Sequence, residues 1–160
     1  MTTFSDTSRI GYAPGEIVTS EPTRSARYKW VIVVDRGIPA GQMANAIACV
    51  AATTGALVEG LVAHGGPDAS GQAHPGLPWA GCTILGGTSE QITAARGRAA
   101  ASDDMLVIDM PAAAQEHRIY DDYLAELAET SPDGLRVSAF SLMGPRNRVD
   151  KITRKLDLLS

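Results

Sequence analysis

The chain has 160 residues, of which 44% are hydrophobic and 20% charged, and its formal net charge is −4. That length supports one ordinary domain with its own core, and the acidic balance argues against a general nucleic-acid binder, whose field would be basic. Aromatic residues make up only 5%, so the core must be built from Ala, Val, Ile and Leu.

Residues 1–27 are polar and carry the turn signals Pro14-Gly15 and Glu21-Pro22. They read as an N-terminal arm ahead of a single α/β domain at 28–160. Ile10, Tyr12, Ile17 and Val18 predict that the arm is pinned to the body or to a neighbouring subunit. The start Met1-Thr2-Thr3-Phe4 lacks the basic and apolar regions of a signal peptide. Cys49 and Cys82 sit in apolar sequence and read as buried free thiols in a reduced compartment. Together these predict a cytoplasmic protein.

Lys29 to Asp35 is an apolar run of β-branched residues with almost no alternation, as expected of a strand buried on both faces. It breaks into Arg36-Gly37-Ile38-Pro39-Ala40-Gly41 and restarts as a long helix. Met43 to Ala63 carries no charge except Glu59. Its Ala, Thr and Gly content is too polar for a membrane span. Met43, Ile47, Val50, Thr54, Val58 and Leu61 form the inward face. Asn45, Cys49, Ala52, Ala56 and Ala63 make an opposite face that is also small and uncharged. Such a helix should be covered on two sides, by the sheet and by a second helix or partner chain.

His64 to Gly81 is rich in Gly and Pro and reads as a loop. Cys82 to Gly86 is a short strand, and Thr88-Ser89-Glu90-Gln91 is a capping box opening a helix to about Ala101. Met105 to Met110 is another buried strand, and Ala112 to Glu129 an amphipathic helix with Ile119, Tyr123 and Leu127 inward. Ser131-Pro132-Asp133-Gly134 marks a turn. Arg136 to Met143 is the last strand, followed by a helix entered at Pro145 that buries Val149, Ile152 and Leu156. Strands alternating with helices give an α/β layered fold with four core strands.

Open α/β sheets place ligands beyond the carboxyl ends of strands and at helix N-termini. Asp35, Arg36, Gln42, Asn45 and Asp109 are therefore expected to converge at the ends of two adjacent central strands. There Asp109 or Asp35 would act as general base on a water. Gln42 and Asn45 would orient a substrate, and amides at the helix start would stabilise an oxyanion. The competing reading is a local Asp35–Arg36 ion pair and a satisfied helical Asn45. His64, Asp68, His74 and Cys82 match no metal-ligand spacing, so no metal is expected. Gly86-Gly87 would bring amides near an anion, but without GxGxxG or a Walker lysine no nucleotide cofactor is expected. Arg146, Arg148, Lys151, Arg154 and Lys155 are five of the 14 basic residues. Asp150 and Asp157 balance them, so they read better as a solvated helix face than as an RNA contact.

Two pieces carry a family likeness: the strand followed by Gly41-Gln42-Met43-Ala44-Asn45-Ala46, and Met143-Gly144-Pro145 leading into Val149 to Leu159. With the order of elements between them, they resemble the type II peptidyl-tRNA hydrolases. The likeness is closer to an uncharacterised family grouped with that fold, and it spans about Lys29 to Leu159. It implies a mixed four-stranded sheet with helices on both faces and commonly a homodimer. It also implies cleavage of the ester joining a peptide to tRNA. The hydrolases' pattern after the first strand is Lys-x-x-x-Gly-Lys-x-Ala-Ala-Gln. Gly41 matches its Gly, and Gln42 stands where its second Lys would be. Asp109 matches the Asp of Asp-Ala-Gly-x-Thr, but Met110-Pro111-Ala112 follows without the Gly or Thr. These departures argue against tRNA as the partner. Two functions follow: a hydrolase of a changed ester or acyl substrate, using Asp109, Asp35 and Gln42, or a non-catalytic module binding a small ligand or protein there through Arg36, Gly41 and Asn45.

Overall fold

The computed structural model describes residues 10–160; the portion of the expected arm at 1–9 lies outside the described residues. The chain runs β1 (Tyr28–Asp35), α1 (Ala40–Leu57), β2 (Gly66–Pro67), β3 (Ala73–His74), β4 (Thr83–Gly87) and α2 (Ser89–Ala100). It continues with β5 (Leu106–Pro111), α3 (Ala112–Glu116), α4 (Tyr120–Glu129), β6 (Val137–Pro145), α5 (Arg146–Thr153) and β7 (Asp157–Leu158). The main sheet has the order β5-β6-β1-β4-β7 and is mixed: β1 pairs parallel with β4 and antiparallel with β6. It has five strands, not the expected four. The extra strand comes from the chain after Thr153. Leu156 N–H still closes a turn on Thr153 C=O, but Leu159 N–H then donates to Ile84 C=O at 3.1 Å. Leaving the helix lets Leu159 reach the α1 side of the sheet.

β1 is hydrophobic on both faces because both are covered. Trp30, Ile32 and Val34 face α1, while Val31 and Val33 face α2 and α5. β6 splits likewise, with Ala139 and Met143 toward α1 and Phe140 and Leu142 toward the other layer. A polar chain crosses the α1 layer. Trp30 Nε1–H donates to Ser141 Oγ at 2.8 Å, Ser141 and Thr54 hydroxyls share a hydrogen at 2.8 Å, and Thr54 Oγ1–H donates to Val50 C=O at 2.7 Å. The Ser141–Thr54 contact allows one hydrogen between the oxygens; the Thr54 bond to Val50 leaves Ser141 to supply it. The side-chain polar atoms of Trp30, Ser141 and Thr54 are thus all satisfied, although the three residues are buried.

α1 ends at Leu57, short of the expected boundary, because Val58 turns extended and Gly60 takes φ +73°. A Cβ on Gly60 would fall 2.7 Å from Tyr12 C=O. This turn receives the arm. Tyr12 N–H donates to Glu59 C=O at 2.9 Å, and the Tyr12 ring is buried against Tyr28 and Trp79. Ile10 and Ile17 pack on the same core, while Val18 stays exposed.

Further corrections concern surfaces. Only one side of α1 is covered: Ala44, Cys49, Ala52, Ala56 and Leu57 face solvent. Cys49 and Cys82 are both exposed rather than buried. The expected 112–129 helix is two helices, broken at His117–Ile119 and stapled by His117 Nε2 to Glu126 Oε2 at 2.6 Å. Ile119 is exposed, not inward. The 64–81 loop contains the β2–β3 hairpin. The Thr88 capping box forms as the sequence predicts.

Ser141→Ala leaves the Trp30 indole N–H without its acceptor in a dry layer. It should lower stability by about 1–3 kcal/mol in denaturant unfolding. Gly60→Ala should cost more than about 1 kcal/mol, since both the backbone angle and the Tyr12 carbonyl oppose a Cβ. An unchanged midpoint in either variant would contradict these roles.

Candidate functional site

The β1–α1 corner is built from its own backbone. Asp35 Oδ1 accepts the Gly37 N–H at 2.7 Å, which closes the turn out of β1. Arg36 therefore projects sideways instead of pairing with Asp35. Its N–H donates to Gly87 C=O at 3.0 Å and its Nη2 to Leu158 C=O at 2.7 Å. The guanidinium crosses the end of β4, where a Cβ on Gly86 would overlap Arg36 Nε. Gly87 is likewise closed in by Leu156 and Gln91. The glycine pair thus makes room for neighbouring side chains, and the anion reading of it falls away.

Pro39 provides no side-chain cap to α1, whose first bond is Met43 N–H to Pro39 C=O at 3.0 Å. The amides of Ala40, Gly41 and Gln42 precede that bond and carry the positive end of an 18-residue helix. Gly41 has no heavy atom within 4 Å of where a Cβ would stand. Gln42 and Asn45 are exposed beside it. Gln115 of α3 joins them: its Nε2 donates to Gln42 C=O and to Asn45 Oδ1, both at 3.0 Å. Sequence reading missed Gln115. Its only signal was an amide side chain soon after Pro111, where the strand gives way to a helix.

Asp109 does not join this group. β5 is an edge strand separated from β1 by β6, so two strand spacings of about 4.8 Å lie between them. The register Asp109–Phe140–Val33 places the carboxylate on the α2 face, opposite α1. The expected convergence of Asp109 with Asp35, Arg36, Gln42 and Asn45 on adjacent strands is therefore overturned by strand order and pleat. Asp109 instead accepts a bidentate clamp from Arg96 of α2. Nε lies 3.2 Å from both oxygens and Nη2 2.7 Å from Oδ2. The bonds to Asp109 raise the Arg96 pKa above its ordinary value. Tyr123 borders this clamp, its phenol pushed up chiefly by burial and then by Tyr120 and Asp109.

The other sequence candidates have local partners. His74 Nε2 lies 3.2 Å from Asp68 Oδ2 in the exposed hairpin, and Asp68 is held down at about 2, first by the Ser70 hydroxyl and then by His74. Among the described residues no group of three or more His, Cys, Asp or Glu is placed to hold a metal ion. Arg146 Nη2 donates to Arg24 C=O at 2.7 Å and Ala26 C=O at 3.1 Å, and Arg148 pairs with Asp104 at 3.3 Å. No helix among the described residues is long and apolar enough to cross a membrane.

Comparison with known proteins gives two findings. A family model described as a protein of unknown function (DUF2000) matches residues 28–160. A solved structure of a protein of unknown function from Agrobacterium tumefaciens aligns with a TM-score of 0.72 at 17% identity, covering 84% of this chain and 98% of that chain. No curated protein matches the chain. The likeness to that structure speaks to the fold alone. Neither match is described as a peptidyl-tRNA hydrolase, so that part of the sequence resemblance finds no support; the likeness to an uncharacterised family does.

The Arg96–Asp109 clamp should behave as a structural pair. Asp109→Ala strands a half-buried guanidinium and should cost about 2 kcal/mol in urea unfolding. Arg96→Met combined with Asp109→Leu should recover part of that loss. A double variant no more stable than Asp109→Ala would count against the clamp.

Proposed function

The chain belongs to the DUF2000 family, and we propose that it is a non-catalytic module that binds a small polar ligand at the β1–α1 corner. The observation that carries this reading is the state of the two carboxylates considered as general bases. Asp109 is clamped by Arg96, and Asp35 holds the Gly37 amide. A base must be within reach of the proton it takes, and a committed carboxylate behind the sheet is not. What remains at the corner is donor-rich. Arg36 leaves the turn just ahead of these amides although its Nη2 is held by Leu158 C=O, Gly41 permits close approach of backbone to ligand, and the side chains of Gln42 and Asn45 add exposed carboxamides, Asn45 steadied by Gln115. Such a surface suits a ligand rich in acceptor oxygens, a carboxylate above all.

The hydrolase reading comes second. It needs a water held between a carboxylate and the α1 amides, and Asp35, at the end of β1 just ahead of α1, is the carboxylate that remains once Asp109 is clamped. The departures at Gln42 and after Asp109 also weigh against tRNA.

Thermal unfolding against a panel of small carboxylates, phosphates and carboxamides tests the proposal. At least one carboxylate should raise the midpoint, as any ligand specific to the native state does. Gln115→Ala and Asn45→Ala should abolish the rise, while Asp109→Asn should preserve it relative to its own baseline. Peptidyl-tRNA should be left uncleaved. Turnover lost in Asp35→Asn would restore the hydrolase reading, and no shift with any of the panel would sink the binding one.

A further inference from the structure

The two edges of the main sheet are unequal. β7 is two residues long, which protects its edge by brevity. β5 opens as Leu106-Val107-Ile108, half-buried and with no proline or lysine to blunt it. Its outer edge is unpaired among the described residues. Such an edge turns alternate N–H and C=O groups outward, ready to pair with another strand. It lies in a groove of about 1710 Å³.

Topology gives this groove its charge. β1, β4 and β5 point the same way in the sheet, and α1 and α2 run back against them. Both helices therefore end where β5 begins, and Leu57 of α1 and Ala99 and Ala100 of α2 line the groove. The last carbonyls of a helix carry partial negative charge. α1 has no basic residue in its last turn, and Arg98 in the last turn of α2 is engaged by Ile152 C=O at 3.0 Å. Carboxylates add to the same field. Glu16, Glu59, Asp103 and Asp109 line the groove with Arg27 as the cation among them. Arg27 pairs with Glu16 at 2.9 Å, and Arg96 clamps Asp109. Glu59, just past α1, and Asp103, just past α2, are exposed and take no such partner among the described residues.

We propose that the groove takes an extended segment of a partner protein that carries adjacent lysine or arginine residues and adds to β5 as a strand. Backbone pairing seats the segment, and its side chains give the selectivity. Successive residues of a strand point to opposite faces. One basic side chain of the pair then reaches Glu59 and the end of α1, while the next reaches Asp103 and the end of α2. Leu57 and Val62, exposed in the groove, meet the aliphatic stems. An acidic segment meets the same field with the wrong sign.

Calorimetric titration of the full chain with short capped peptides of valine and threonine tests this. One peptide carries a central lysine–arginine pair, a second carries glutamates in those places, and a third is the basic peptide N-methylated at every amide. The first should bind with a Kd on the order of 10–100 μM at low salt. Raising the ionic strength to about 0.5 M should weaken it at least about fivefold. The other two should bind at least about tenfold more weakly. Glu59→Lys combined with Asp103→Lys should weaken the first peptide about 100-fold. Glu129→Lys, exposed on α4 outside the groove, should change it less than about twofold. Circular dichroism checks the fold of each variant; should the double one misfold, Asp103→Asn alone decides, with an expected loss of about fivefold. Amide exchange at Leu106 to Asp109 should slow when the first peptide binds. Absence of binding up to about 1 mM overturns the proposal. So does equal binding of the N-methylated peptide, or an affinity unmoved by the charge reversals. β5 amides already protected in the free chain overturn it too, since the edge is then occupied by the chain itself or by a second copy.

Discussion

Everything in this fold hangs on the pairing of β1 with β6 and on the hydrogen-bond chain that fixes α1 above it. The two strands form the dry centre of the sheet, with all of Val31 to Val34 and Val137 to Gly144 buried. Apolar packing alone would tolerate small slides of a helix over such a surface. The Trp30–Ser141–Thr54 chain does not, since its donors and acceptors meet in one register only. It therefore sets where α1 begins, and the candidate corner inherits that position.

The sheet also acts as a partition. Neighbours in the linear order of motifs are assigned to opposite layers by one step of pleat: Arg36 crosses Gly86 beside Leu159 on the α1 side, whereas Asp109 lies in register with Phe140 and Val33 on the α2 side. On the α1 side, donors collect: backbone amides, carboxamides and Arg36. On the α2 side, charges cancel in the Arg96–Asp109 clamp, bordered by Tyr123. This division explains why a site with the outline of a hydrolase corner reads better as a binding surface.

Much of the architecture was legible in the sequence, because β1 announces its two-sided burial by an unbroken apolar run and Thr88–Gln91 announces a cap, although β5, read as buried, is half-buried over Leu106–Asp109 at the sheet edge. Strand order was not. Whether β5 lies beside β1 or beyond β6 depends on pairings between distant segments, which local patterns do not encode. The fifth strand was hidden for a related reason: Leu156 and Leu159 suit a helix or an extended segment equally, and tertiary packing of Leu159 decides. Of the candidate site, Asp35, Arg36, Gly41, Gln42 and Asn45 were found because they adjoin one visible turn. Arg96 and Gln115 were not, since each reaches its partner from a separate helix. The family resemblance pointed to an uncharacterised relative correctly and to a hydrolase without support.

The same long-range pairing governs how the chain acquires its shape in time. β1 comes early in the sequence, but its antiparallel neighbour arrives about a hundred residues later, and the carbonyl that fixes Arg36 belongs to Leu158. On a ribosome, the most hydrophobic strand emerges long before anything can pair with one of its edges. Loop closure over that distance is slow, and the half-made sheet exposes Val31 to Val34 meanwhile. The uncharged α1 following it would wait in the same state. The central strand therefore stays incomplete until β6 has been made, and this delay is built into the topology rather than into any one residue.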